Sequence, residues 1–230
     1  MFAISKREFF ESFKGVKSII IIAIFLMTAY FSTKFSDWLL FMNIDFTSQE
    51  TELIHTFAIS VLILVFGMLF TMGLSHDVMN REIHERTVRF LVTRTSRVSI
   101  IMGKFLGVVL FWFTCLLTSF LIISIFAHQF DVITFLQSLS LLVYYCACTL
   151  LLSVLISKPG FSMFLSMIIG IAFPIFNGWV FFTTNAWISW LKYLLPFYYV
   201  NDQDYRFMVI FLLAGVLLFI ALKVFKRREC

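Results

Sequence analysis

The sequence predicts an all-α membrane protein built on six transmembrane helices, and two observations carry that prediction. Of 230 residues, 61% are apolar and 13% charged, whereas a soluble domain runs about 45–50% apolar and 25% charged. Thirteen acids and 18 bases cannot cover the outside of a water-soluble fold of this length, and disorder requires the opposite composition. Six apolar stretches also recur, at 18–33, 53–74, 105–127, 135–156, 161–182 and 207–225, each closed by a polar cluster. At about 1.5 Å per residue, roughly 20 residues cross a hydrocarbon core about 30 Å thick. Unbroken runs of that length are helices, because a barrel strand alternates and is about half as long. Three prolines and nine glycines leave no linker or low-complexity region, so residues 1–230 read as one membrane-embedded domain.

Taken in order, residues 1–17 place Phe2, Phe9, Phe13 and Val16 on one helical face and Lys6, Arg7, Glu11, Lys14 and Lys17 around the rest. That pattern suits an amphipathic helix lying in the cytoplasmic interface. A cleaved signal peptide is the competing reading. It is set aside because the polar stretch before Ser18 is long, carries Glu8 and Glu11, and is followed by no small-x-small site. The first span falls short of a bilayer and is expected to extend through Phe35, with Lys17 and Lys34 snorkelling to the two interfaces.

The longest charged stretch is 76–104, between spans two and three. Its first half reads as a short helix. Asn80 can cap it; Ile83, Thr87, Phe90 and Leu91 share one side; Glu82 with Arg86 and Glu85 with Arg89 stand four residues apart. Thr93, Thr95 and Ser96 then break the pattern. Such an apolar edge with a charged border fits a knob entering a partner's groove, and it equally fits a basic interfacial loop; periodicity leaves both open.

In the fifth span Gly170, Pro174 and Gly178 recur four residues apart, and Pro174 removes a backbone hydrogen bond. The following segment, 183–206, is too apolar for a solvated loop and too short and proline-interrupted, at Pro196, to span. A re-entrant hairpin or outer half-helix fits. Together these residues gate an external exit, or the Gly-x-x-x-Pro-x-x-x-Gly pattern only permits close helix packing.

Orientation follows from the bases. With the N-terminus inside, fifteen of the eighteen lie in cytoplasmic segments, and Lys34, Lys192 and Arg206 alone lie outside. The positive-inside rule then puts both termini in the cytoplasm of a multi-pass plasma-membrane protein, bacterial in character. Trp38, Trp179, Trp187 and Trp190 fall where an outer aromatic belt would sit. The net charge of +5 is a matter of topology and calls for no nucleic acid.

Several activities find no residues to carry them. No acid falls at mid-membrane, where ion-driven transporters keep an ionisable group. No phosphate-cradling G-x-x-x-x-G-K-[ST] loop is present; Gly103-Lys104 lacks both the upstream glycine and the following hydroxyl. His84-Glu85 opens an H-E-x-x-H pattern that Val88 closes wrongly, and Cys146-x-Cys148 has no second ligand pair. The expectation is therefore no catalytic residue, metal or cofactor on this chain, and an energy source on a separate subunit.

The segment between spans two and three resembles that of a known family, the membrane subunits of type-2 ABC transporters. There the loop carries acids, a Gly-Thr, a leucine pair, a Pro-x-Ser-Arg-like turn and a Gly-Lys entering span three. Glu82, Glu85, Thr87, Leu91, Ser96-Arg97 and Gly103-Lys104 match in order. Arg86 replaces the usual glycine and no proline precedes Ser96. The N-terminal SKREFFESFKGVKS, Leu195-Pro196-Phe197 and the closing Phe225-Lys226-Arg227-Arg228-Glu229 are similar to further family elements, so the likeness covers most of the chain through short, degenerate motifs.

The resemblance implies a permease that pairs with a second permease chain, as homodimer or heterodimer, above two ABC ATPase subunits that hold ATP and magnesium. It also implies that Glu82, Ile83, Glu85, Arg86, Thr87, Phe90 and Leu91 form a coupling helix gripped by the ATPase. Export is implied, of a hydrophobic or amphipathic peptide, toxin or drug, since the bundle is rich in Phe and Met and uncharged inside. The rival readings are a membrane-integral enzyme such as an intramembrane protease, for which no catalytic cluster is assembled, and a non-transporting immunity or binding protein.

Overall fold

The computed structural model describes residues 1–41, 48–84, 95–128, 130–156, 158–183, 186–200 and 205–227. Among these the regular structure is entirely helical. The elements are α1 (Phe2–Lys14), α2 (Val16–Phe41), α3 (Ser48–Ser75), α4 (Asn80–His84), α5 (Arg97–Ala127), α6 (Val132–Leu155), α7 (Pro159–Phe182), α8 (Ala186–Ser189) and α9 (Met208–Arg227). Short 3-10 turns, Trp190–Leu194, Pro196–Tyr199 and Tyr205–Phe207, connect α8 to α9. Six of the helices, α2, α3, α5, α6, α7 and α9, contain stretches long and apolar enough to cross a membrane, consistent with a multi-pass membrane protein. The first extends as expected: its candidate span is Val16–Phe35, 20 residues, within the longer α2.

Local chemistry sets several boundaries. Ser96 caps α5 by accepting from the Ser99 backbone N–H at 3.2 Å, and His128 ends it in the left-handed conformation at φ 56°. Asp131 caps α6 through the Thr134 N–H at 3.0 Å. Pro159 opens α7 at a first-turn position, where a missing N–H costs nothing. Between residues 183 and 206 the described chain forms only α8 and the 3-10 turns. Lys192 Nζ donating to the Thr183 carbonyl at 2.8 Å ties this segment back to the end of α7.

Helix α6 is the centre of the bundle and packs on α3, α5 and α9; α2 leans on α3 and α5, and α7 lies mainly on α3. Trp112, Tyr145, Phe25 and Phe111 are wholly enclosed. Only 22% of the span windows of α7 and α9 is buried, against 67% for α6, so these two helices turn most of their surface outward. Since lipid tails are as apolar as Leu, association inside a bilayer rests on close packing and buried polar contacts. Gly170 illustrates the first: a Cβ there would stand 2.8 Å from Leu69 Cα, so α7 and α3 approach backbone to backbone.

Helix α1 is docked on the bundle, and its apolar face is divided. Phe9 and Phe13, half of its apolar face, turn to the protein rather than outward. The Phe13 ring lies 4.8 Å from that of Phe111 on α5, while Phe2 and Val16 stay exposed. The reason is a seat on α5 made by Gly103 and Gly107. A Cβ on Gly107 would meet Glu8 Cβ at 2.6 Å and the Ser5 carbonyl at 2.8 Å, and one on Gly103 would meet Ile4 at 3.0 Å. Small residues four apart let one helix settle onto another, and here α1 occupies that groove.

Candidate functional site

The segment that leaves α3 is rooted in the bundle by polar contacts. The backbone N–H groups of Met79 and Asn80 both donate to Ser153 Oγ on α6, at 2.9 and 3.1 Å, and Ser162 Oγ on α7 donates to the His76 carbonyl at 3.1 Å. Asn80 does not cap α4 with its side chain, contrary to expectation. It is fully buried and neither amide atom finds a partner among the described residues, because it takes the first position inside α4 rather than the flanking one from which a side chain reaches back to the helix donors.

Beside this root sits Lys104, with its side chain 3% exposed. Its ammonium donates to Glu8 Oε1 on α1 at 2.7 Å, to the Val78 carbonyl at 2.7 Å, and pairs with Glu82 Oε1 on α4 at 2.9 Å. An ammonium has three donors, so each is matched. One lysine therefore joins α1, α4 and α5 at a single point where two carboxylates face one cation. Around the rim, Arg7 Nε donates to Glu11 Oε1 at 2.8 Å, and that bond holds the Glu11 carboxyl below its ordinary range. Arg81 stands 3.9 Å from both Glu11 and Asp77. At the start of α5, Arg97 Nη1 donates to the Lys226 carbonyl at 2.7 Å, a cation set on the C-terminus of α9 where the helix dipole favours it.

Of the residues that the family resemblance points to in this segment, Glu82 belongs to the charge cluster and Ile83 falls in α4. Glu85, Arg86, Thr87, Phe90 and Leu91 lie outside the described residues. The sequence does not mark Glu8 and Lys104 as a pair, since there they are one charge each in a tally by side. The available signal is Gly103 and Gly107 bracketing Lys104, a close-packing pattern around a charged residue.

At the opposite end of α7 a cavity of about 810 Å³ opens between α3, α6 and α7. Gly170, Pro174 and Gly178 form part of its wall, and Phe197 and Val200 from the segment after α7 also line it. The glycines differ in role. Gly170 is the close contact with α3, whereas nothing lies within 4 Å of a Cβ on Gly178. Pro174 sits within α7 and leaves the Gly170 carbonyl without its helical donor. Pro196 does not line the cavity; it is buried and opens the turn that supplies Phe197. Polar groups come from α3 and α6, with Thr56, Ser60, Thr134, Gln137 and Ser138, and no charged side chain is among the described lining residues. A half-open, mostly apolar space, with exposed Phe57, Ile175 and Phe182 at its mouth and a few hydroxyl and amide groups on one wall, suits an uncharged or amphipathic guest.

Among the described residues no group of three His, Cys, Asp or Glu side chains converges as a metal site would. Cys115 and Cys146 are buried free thiols. No protein-family model matches the chain, and no curated protein matches it either.

Proposed function

We propose that this chain is the permease subunit of an ATP-driven ABC exporter, working with a second permease chain and a separate ATPase that carries ATP and magnesium. The observation that most supports the reading is the Lys104 cluster. The charged segment after α3 does not leave the bundle as a free loop, since Glu82, the Val78 carbonyl and Glu8 meet on one buried ammonium. A force applied to that segment therefore reaches α1 and α5 directly, which is what a coupling element requires. In this reading ATP-driven closure of the ATPase pair moves Glu82 to Leu91, and α5 carries the movement into the bundle. The cavity walled by Gly170, Pro174 and Gly178 receives a hydrophobic or amphipathic peptide, toxin or drug on the outward side of the plasma membrane, with both termini in the cytoplasm.

The test expresses the tagged chain with its neighbouring genes and isolates it in mild detergent. Recovery of an ATPase bearing a phosphate-binding loop is expected. Replacing Glu85 and Phe90 together by Ala should abolish transport and ATPase association while the chain still inserts. Gly178→Phe, filling the cavity, should abolish transport and leave ATPase association intact. Survival of transport and association in the Glu85/Phe90 variant would overturn the coupling assignment, and absence of any co-isolating ATPase would overturn the class.

A further inference from the structure

Docking of α1 on α5 sorts the charges of the N-terminal helix in a way its sequence does not reveal. Both acids of α1 are paired: Glu8 on buried Lys104, and Glu11, about a third exposed, on Arg7 of the same helix with Arg81 beyond it. The face turned away carries Phe2, Lys6, Phe10 and Lys14, spaced four residues apart, with Lys17 following just past the break at Gly15. All five are exposed, Phe2 at 83% and Phe10 at 54%. Aromatic rings and ammonium groups thus alternate along one ridge from which negative charge has been withdrawn.

We infer that this ridge is a binding surface for anionic phospholipid headgroups, with Phe2 and Phe10 entering the acyl boundary and Lys6, Lys14 and Lys17 contacting phosphates. Charge complementarity chooses the occupant. A zwitterionic surface would satisfy the two rings but offer no net charge to three lysines, and a soluble acidic partner would leave the rings in water. The ridge is also continuous with the outward apolar surface of α2, where Ile19, Ile20 and Met27 are exposed, so the same lipid layer that wets the bundle reaches it. An interfacial helix binds through its apolar area and its attraction to anionic lipid together. This one is already held by Gly103 and Gly107, so its lysines are presented at fixed spacing and the ordering cost of binding is reduced. Each lysine near an anionic surface is worth about a fivefold shift in occupancy. The inference depends on the membrane setting alone and stands apart from the transport reading.

The test places the full chain in nanodiscs of phosphatidylcholine containing a trace of spin-labelled phosphatidylglycerol or spin-labelled phosphatidylcholine, and reads the motionally restricted fraction of each. The wild-type chain should restrict phosphatidylglycerol severalfold more than phosphatidylcholine, and added salt should remove most of that preference. Lys6→Gln, Lys14→Gln and Lys17→Gln together should bring it close to unity. A control chain carrying Lys223→Gln, Lys226→Gln and Arg227→Gln should keep it. All six side chains are exposed, and circular dichroism verifies folding in each variant. An α1 variant with wild-type preference would overturn the inference, as would a control variant that loses as much. A face covered by a protein instead would show no preference in the wild type, and that result would overturn it as well.

Discussion

Replacing Lys104 by Met should destabilise the protein severely, and the geometry says why. The side chain is 3% exposed and its ammonium serves Glu8, Glu82 and the Val78 carbonyl at 2.7, 2.9 and 2.7 Å. The Glu8 and Glu82 side chains are themselves 11% and 13% exposed, so removing the cation leaves two carboxylates facing each other with little water to screen them. Breaking a buried pair by deleting one partner costs about 3–5 kcal/mol, and at about 2–4 °C per kcal/mol for a domain of this size the melting temperature should fall by roughly 10 °C. The decisive comparison is the triple variant Glu8→Gln, Lys104→Met, Glu82→Gln, which removes all three charges. Neutral replacement of a buried ionic group is often harmless or stabilising, so the triple variant should melt much closer to wild type than the single one. Thermal unfolding in mild detergent, followed by tryptophan fluorescence, gives both numbers. A single variant within about 2 °C of wild type, less than the shift for 1 kcal/mol, or a triple variant as damaged as the single, would refute the view that an uncompensated buried charge sets the cost.

Further outcomes follow from neighbouring contacts. Gly107→Ala should lower the melting temperature and expose α1 to proteolysis, since its Cβ would press on Glu8 Cβ at 2.6 Å and overpacking costs about 1–3 kcal/mol; Gly178→Ala, with open space around it, should be neutral or stabilising by up to about 1 kcal/mol. Arg7 lowers the folded-state affinity of Glu11 for a proton relative to its ordinary value of 4.5, so the pair's contribution is complete above that ordinary value and is lost as pH falls through the depressed folded value. Because the pair is exposed it is worth only about 0.3–0.5 kcal/mol: wild type and Glu11→Gln should differ slightly in melting temperature near neutral pH and converge in strong acid.

The six long helices were legible in the sequence because continuous apolar character is a property of each segment alone. What hydropathy missed was relational. Helix α5 begins at Arg97 rather than near residue 105; its first turns are polar or small because Ser99 serves the helix's own cap at Ser96 and Gly103 and Lys104 serve neighbouring elements. Helical periodicity puts Phe9 and Phe13 on one face of α1 but hides what that helix meets, since Phe111 and the Gly103 and Gly107 seat for Ile4, Ser5 and Glu8 lie far along the chain. The spacing of Gly170, Pro174 and Gly178 was visible, yet only the structure separates a glycine that allows backbone contact from one that borders empty space.

The seat of α1 also imposes an order on biogenesis. Glu8 and Lys104 are separated by 96 positions, and synthesis proceeds at about 5–20 residues per second. The N-terminal helix therefore leaves the ribosome roughly 5 to 20 s before the groove and the counter-ion that will hold it. During that interval Glu8 has no docked partner, whereas Glu11 can already pair with Arg7 inside α1, and the first two long helices must settle without the α1–α5 contact. When α5 arrives, a single lysine closes the circuit between α1 and the α4 segment made just before it, while the contacts of that end with Ser153 on α6 and of Arg97 with the C-terminus of α9 wait for still later helices.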